Sequence, residues 1–268
     1  MSVPLTITVL SQKGGTGKTT TVRTLADAYR RSGLEVLCVD LDPQGNLSDY
    51  FDVPADASPT IADVLAGQAR AADAVYADML PANLGLAEAE LVLAGKMGRE
   101  LTLKRGLREV KRDYDLVLVD CPPSLGLLTV NALVAADHAL ITSEAEYFSL
   151  QGVEQALEVV ELARESLHPD LDWLGVVLNI ADMRLVHSRE ALKSLRERFS
   201  DKVFSTVIRR SVRYAESAER GVSILDFAPS LGADYMALAA EILERLGGFE
   251  EAREHLRASP SSSAIASS

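Results

Sequence analysis

The stretch Val9 to Thr21, "VLSQKGGTGKTTT", constrains this chain more than any other. An apolar, β-branched run from Leu5 leads into it and an amphipathic pattern from Thr19 to Arg31 leaves it, so a glycine-rich loop joins a strand to a helix. Such a loop can turn its backbone N–H groups inward around a polyphosphate, and the helix N-terminus adds partial positive charge. Gly14, Gly15 and Gly17 leave room for that approach, with Thr16 and Thr20 beside them. Lys18 is placed to reach β- and γ-phosphates, and the Thr19 hydroxyl to hold Mg2+. The pattern G-x-x-x-x-G-K-S/T ends in Gly17-Lys18-Thr19, but Gln12 stands where its first glycine belongs and Lys13 follows.

The rest of the chain supplies a sheet to carry that loop. Short strand-like runs alternate with helical patterns, which predicts a parallel sheet with helices on its faces. The strand candidates are "LTITVL", "EVLCVD", "LGLAEA" from Leu84, "DLVLVD", "HALITSE", "WLGVVLN" and "KVFSTVI". Helices are expected over Thr19–Arg31, Leu101–Arg112, Leu150–Ser166, Arg189–Phe199 and Gly232–Leu246, with a short charged helix after the last. The expected fold is therefore an α/β P-loop NTPase, with a mostly parallel sheet of about seven or eight strands and helices on both faces. Residues 1–250 are expected to form one domain, and 251–268 a short charged end with a disordered serine-rich tail. No signal peptide precedes the first strand, and no apolar run is long and uncharged enough to span a membrane. Cys38 and Cys121 read as reduced core thiols of a cytoplasmic protein.

A P-loop needs an acidic partner at the end of another buried strand to hold its magnesium, and Asp120, closing "DLVLVDCPPS", stands in that position. Asp40 and Asp42, in "VLCVDLDPQGN", end a second strand. Residues at i and i+2 of an extended chain face the same way, so both carboxylates are expected to point into one site. One of them would organise metal-bound waters and the other the attacking water.

Together "KGGTGKTT", "VDLDPQGN", "VDCPPSLG" and "EYFSLQGV" resemble the deviant Walker A ATPases, specifically the ParA/Soj partitioning proteins, over residues 5 to 246. The resemblance implies ATP and Mg2+ as cofactors, weak ATP hydrolysis and an ATP-bound homodimer. It also implies non-specific double-stranded DNA and a ParB-like adaptor as partners, no membrane, and a cytoplasmic, nucleoid-associated protein working in chromosome or plasmid partition. By the same resemblance Lys13 reaches the ATP of the opposite protomer, and Gly14 lies where the two subunits meet. Asp42 acts on the attacking water, Asp40 lies near the metal, Asp120 and Thr19 hold the metal, and Asn179 contacts adenine. Pro122 and Arg210 are placed in the nucleotide site. A chemical argument points the same way for Lys13: one lysine already serves the local phosphates, so a second on the same tight loop lacks a partner within the chain.

The chain carries a formal charge of -12, yet Arg184 to Arg220 holds ten basic residues against five acidic. A basic face on an acidic protein suits a phosphate-backbone partner held without sequence readout. The resemblance assigns DNA contact to Arg184 and Arg213, with Arg210, Lys193 and Arg196 as helpers. Arg209 stands where the family usually has proline; an altered nucleotide site and an added DNA contact are both open readings. A second basic stretch, Lys96 to Arg112, reads as a solvated amphipathic helix. Rival readings are a MinD-like membrane-associated ATPase, which the acidic "GFEEAREHLRAS" does not favour, an iron–sulfur ATPase needing paired cysteines, and a nucleotide switch without meaningful hydrolysis.

Overall fold

A computed structural model describes residues 4–146 and 149–258. The chain opens with β1 (Leu5–Leu10), α1 (Lys18–Arg31), β2 (Val36–Asp40), α2 (Asn46–Tyr50) and α3 (Ile61–Ala66). It continues through β3 (Met79–Leu80), α4 (Gly85–Ala94), α5 (Thr102–Val110), β4 (Leu116–Asp120), α6 (Leu127–Ala135) and β5 (His138–Glu144). Then come α7 (Ser149–Ser166), β6 (Asp172–Ala181), α8 (Val186–Phe199), β7 (Val203–Arg209), α9 (Arg213–Glu219), α10 (Ile224–Phe227), α11 (Pro229–Leu246) and α12 (Glu250–Ala258). The expected tail beyond Ala258, and Tyr147 and Phe148 of the quoted motif, lie outside the described residues.

The strands form a seven-stranded sheet in the order β3-β2-β4-β1-β5-β6-β7, with every neighbouring pair parallel. Period-two alternation divides the strand side chains between two cores. Leu116 and Leu118 of β4, with Val36 and Cys38 of β2, pack with α1 and α11. Val117 and Val119, with Leu37 and Val39, face the opposite layer, which holds α3, α5, α6, α7 and α8. Because both faces are covered, the central strands read as continuous apolar runs. Cys38 and Cys121 are free and buried, and burial pushes both thiols up to about 12.

One expected strand is corrected. "LGLAEA" belongs to α4, since its Leu, Ala and Glu are strong helix formers, and the sheet edge is instead the two-residue β3 at Met79–Leu80. The short charged helix exists as α12, and it is not merely peripheral: Ala252 and Leu256 are buried in the core shared by α1 and α11. Among the described residues no helix is long and apolar enough to cross a membrane.

Candidate functional site

Parallel sheets bind ligands beyond the carboxyl ends of their strands, where the connections to neighbouring helices diverge. Here a cavity of about 610 Å³ lies at that edge, between the β1–α1 loop and the segment that follows β7. Gly14, Gly15, Gly17, Lys18, Thr19 and Thr20 line one end of it. Gly15 and Gly17 hold φ of 79° and 83°, a left-handed turn that glycine adopts without strain. Gly17 also abuts Asn179: a Cβ there would stand 2.9 Å from its Nδ2.

Side chains behind the loop keep it open. The Thr16 hydroxyl is within hydrogen-bonding distance of Ser11 Oγ (2.8 Å) and Thr142 Oγ1 (3.0 Å), so Thr16 anchors the loop and does not line the cavity. Asn179, near the end of β6, donates from Nδ2 to the Thr16 carbonyl at 2.9 Å and to Thr21 Oγ1 at 3.1 Å. Its Oδ1 is buried and has no hydrogen-bond partner among the described residues. An orphaned acceptor beside the cavity suits a donor on a bound base. The next residue, Ile180, takes φ 54°, an unusual value for a β-branched side chain, and lines the cavity.

Lys18 is buried, and burial lowers its pKa against the opposing pull of Asp120. Its ammonium makes one long hydrogen bond, 3.4 Å to the Lys13 carbonyl, although it carries three donors. Asp120 closes β4 in register with Asp40 on β2. Thr19 Oγ1 donates to Asp120 Oδ2 at 2.6 Å, while Asp120 Oδ1 is buried and has no partner among the described residues. Burial, with the nearby Asp40 charge, holds the Asp120 carboxyl well above the usual range. A free carboxylate oxygen beside a hydroxyl fits a magnesium that takes its remaining ligands from phosphates and water. Consistent with so few protein ligands, no cluster of three or more His, Cys, Asp or Glu is placed to hold a metal among the described residues.

The two carboxylates of "VDLD" part company. Strand β2 ends at Asp40, so the extended-chain argument that aims both into one site fails. Asp42 lines the cavity, with Oδ1 accepting from the Gln44 amide at 3.0 Å. Asp40 is buried and both its oxygens are taken: Oδ1 by the Asp42 amide (3.0 Å), Oδ2 by the Ser48 amide (3.0 Å) and hydroxyl (2.8 Å). Burial raises it to about 6. Its hydrogen bonds fasten the turn from β2 into α2.

Lys13 does not line the cavity. It forms an ion pair with Glu146, each side chain more than half exposed, and that hydrogen bond raises its pKa. The expectation that Lys13 lacks a partner within the chain is thereby corrected. Among the described residues, a Cβ on Gly14 would meet only Pro123 Cβ, at an ordinary 3.6 Å. Pro123 lines the cavity, whereas Pro122 is buried beneath it.

The far end of the cavity is bounded by Ile208, Arg209, Arg210, Val212 and Tyr214. Arg209 Nε donates to Asp234 Oδ2 at 2.8 Å and its Nη2 to the Ser230 carbonyl, which ties the end of β7 to α11. Of the two readings of Arg209 this geometry favours the nucleotide side, because its guanidinium is engaged. Arg23 went unnoticed in the sequence: it is buried in the wall, donates to the Tyr214 carbonyl at 2.8 Å and lies 4.6 Å over the Tyr50 ring. No local signal marks it, since its partners lie far along the chain.

The basic residues sit apart from the cavity, save Arg210. Arg184 follows β6 and is held by Asp182 (2.9 and 2.7 Å), which it draws down to about 2. Arg213 opens α9 after β7 and stacks 4.4 Å over Phe227. On α8, Lys193 pairs with Glu197 at 3.7 Å, and Arg196 is exposed. Since β6 and β7 are neighbours, these groups share one end of the sheet.

Fold and loop together define a P-loop nucleotide-binding protein. A family model described as an AAA domain matches residues 5–173. Sporulation initiation inhibitor protein Soj of Bacillus subtilis is 40% identical over 245 residues, 88% of this chain and 97% of Soj. A cobyrinic acid a,c-diamide synthase from Mycobacterium smegmatis, solved with ADP and magnesium, is 36% identical with a TM-score of 0.74, covering 81% of this chain and 93% of that one. The septum site-determining protein MinD of Pyrococcus horikoshii, complexed with Mg-ADP, is 26% identical with a TM-score of 0.75, covering 91% and 98%. The chain belongs to the ParA/Soj family of the ParA/MinD superfamily.

Proposed function

We propose that this protein is an ATP- and magnesium-dependent ATPase of chromosome or plasmid partition that dimerises on ATP, binds double-stranded DNA without sequence preference, and is released by a ParB-like adaptor. The observation that carries the reading is the division of labour between two lysines of one loop. Lys18 is buried at the phosphate end of the cavity, and Lys13 is turned out of it. An ammonium held outward by an exposed ion pair is available to a second protomer, and Gly14 leaves that approach clear.

Within the site, the loop amides and Lys18 would bind the phosphates, and Thr19 and Asp120 would hold magnesium. When bound, magnesium neutralises charge that develops on the phosphate oxygens. Asp42 is the carboxylate facing the cavity and would orient the attacking water. Asn179 and the segment after β7 would hold the base. Arg184 and Arg213, with Arg210, Lys193 and Arg196, would contact DNA phosphates. The protein would act as one domain in the cytoplasm, on the nucleoid. Membrane attachment of the MinD kind is disfavoured because Leu256, the one bulky apolar side chain of α12, and Ala252 are already buried in the core shared with α11 and α1, which leaves Ala258 as its only exposed apolar residue.

Paired sedimentation of ATP-loaded protein with DNA and with anionic liposomes tests the reading. Association with DNA alone is expected, and pelleting with liposomes while ignoring DNA would refute it. Lys13→Ala should abolish ATP-dependent dimers, and Arg213→Glu should lose DNA while keeping the dimer.

A further inference from the structure

The basic stretch around α5 is not an ordinary solvated face. From Thr102 to Asp113 there are five basic residues and two acidic. Leu103, Leu107 and Val110 are buried against the neighbouring helices, which leaves the opposite face polar. On that face stand Arg105 and Arg108, with Arg112 in the 3-10 turn (Lys111–Asp113) that follows α5; all three are exposed, and none makes an ion pair or hydrogen bond with any described residue. Elsewhere on this surface long cations find acidic partners, as in Arg198–Glu154 and Arg31–Asp226. Arg105 and Arg108, at i and i+3, share one side of the helix, and Arg112 follows one turn further on, so the three positions span about 10 Å along its axis. They line a groove of about 360 Å³ with Val64, Ala71 and Gly106, together with Arg70 and Glu109, which pair with each other at 3.5 Å. Clustered like charges repel and weaken a helix; a bound polyanion reverses the sign of that term.

We propose that this face of α5 is a second nucleic-acid surface, binding the phosphate backbone separately from the region of Arg184 and Arg213. The proposal rests on the DNA-binding reading above. Guanidinium forks match phosphate oxygens in pairs. The face offers no apolar side chain to enter a bilayer, since all three leucine and valine side chains of α5 point inward. The two basic regions are not one track. In the layer of α5 the helices run α5, α6, α7, α8, each packed on the next. Between the basic ends lies α7, with Glu154, Glu158, Glu161 and Glu165 against a single Arg164. A duplex following the surface from one region to the other would cross those glutamates, so the two regions hold different stretches of nucleic acid.

The test is fluorescence anisotropy of a labelled random-sequence duplex, with Mg-ATP, across a salt series. For R105E/R108E/R112E the slope of log affinity against log salt should fall by roughly 2 to 3, since each lost phosphate contact removes about 0.9. Affinity should drop at least about tenfold near physiological salt. ATP-dependent dimerisation and DNA-free phosphate release should match wild type, which establishes folding. R105Q/R108Q/R112Q, which adds no repulsion, should show the same change to a smaller degree. Unchanged affinity and slope in the glutamate variant, with wild type binding normally, overturns the α5 surface alone. Failure of wild type to bind DNA overturns the DNA reading and this surface with it. Loss of binding to phosphatidylglycerol vesicles or polyglutamate with DNA binding intact assigns α5 to another partner and also overturns the proposal.

Discussion

The buried carboxylates Asp40 and Asp120, side by side on β2 and β4, set the electrostatics of the site. Asp40 titrates near 6 when folded against an ordinary 3.8, so between those values the folded chain keeps a proton that the unfolded chain has lost. Its stabilising contribution is complete below about 4 and disappears as pH rises past about 6. Denaturant unfolding of nucleotide-free wild type and Asp40→Asn from pH 4 to 7 should show wild type losing stability relative to the variant, by at most about 3 kcal/mol. A difference independent of pH would mean that Asp40 is as ionised folded as unfolded. The ion pair of Lys13 with Glu146 is exposed on both sides and therefore weak. Releasing Lys13 by Glu146→Gln should lower the ATP concentration needed for dimerisation, by roughly two- to fivefold in analytical ultracentrifugation. A higher requirement would show that Glu146 helps the dimer instead of holding Lys13 back.

Among the elements, the central strands were legible because both of their faces are buried, and in β2 and β4 the apolar run ends at a carboxylate. The two-residue β3 was not, as two residues establish no period. A helix read as a strand, α4, shows the same limit, since "LGLAEA" is too short for its alternation to outweigh helix propensity. Gly175 in β6 takes φ 141°, and a Cβ there would overlap the Lys202 carbonyl. Gly175→Ala should therefore cost about 3 kcal/mol or more in unfolding experiments. Gly33→Ala is the control: φ is 89° but the space is open, so backbone strain alone, about 1 kcal/mol, is expected. Equal costs at the two positions would mean that the β6–β7 edge relaxes to admit a methyl group.

For the whole molecule, one cavity draws on both ends of the chain, from the β1–α1 loop to Tyr235 of α11. Ligand occupancy should consequently stabilise the fold globally. At a hundredfold excess of Mg-ATP over its Kd the gain should be about 2.7 kcal/mol, read as a higher melting temperature. Chelating the magnesium should remove most of it, because Asp120 then faces phosphate without an intervening cation. With ATP and Asp42→Ala, which the proposed role of Asp42 would make hydrolysis-defective, the melting temperature should also rise with protein concentration if the proposed dimer forms. Independence of concentration would argue for a monomeric switch.

The phosphate loop, the strand-ending Asp120 and the parallel α/β architecture were readable from the order of the amino acids. Each of these is written in contiguous residues, where strand periodicity, glycine and the helix start act locally. Packing between distant segments is what saturates Asp40 and leaves Asp120 a free oxygen, sets Arg23 in the cavity wall, and turns Lys13 toward Glu146, 133 positions away. It also leaves Arg105 and Arg108 of α5, and Arg112 just after it, without an ion pair among the described residues at one groove. Whether a charge is satisfied depends on what packing brings to it from distant segments, and no spacing within a motif carries that information.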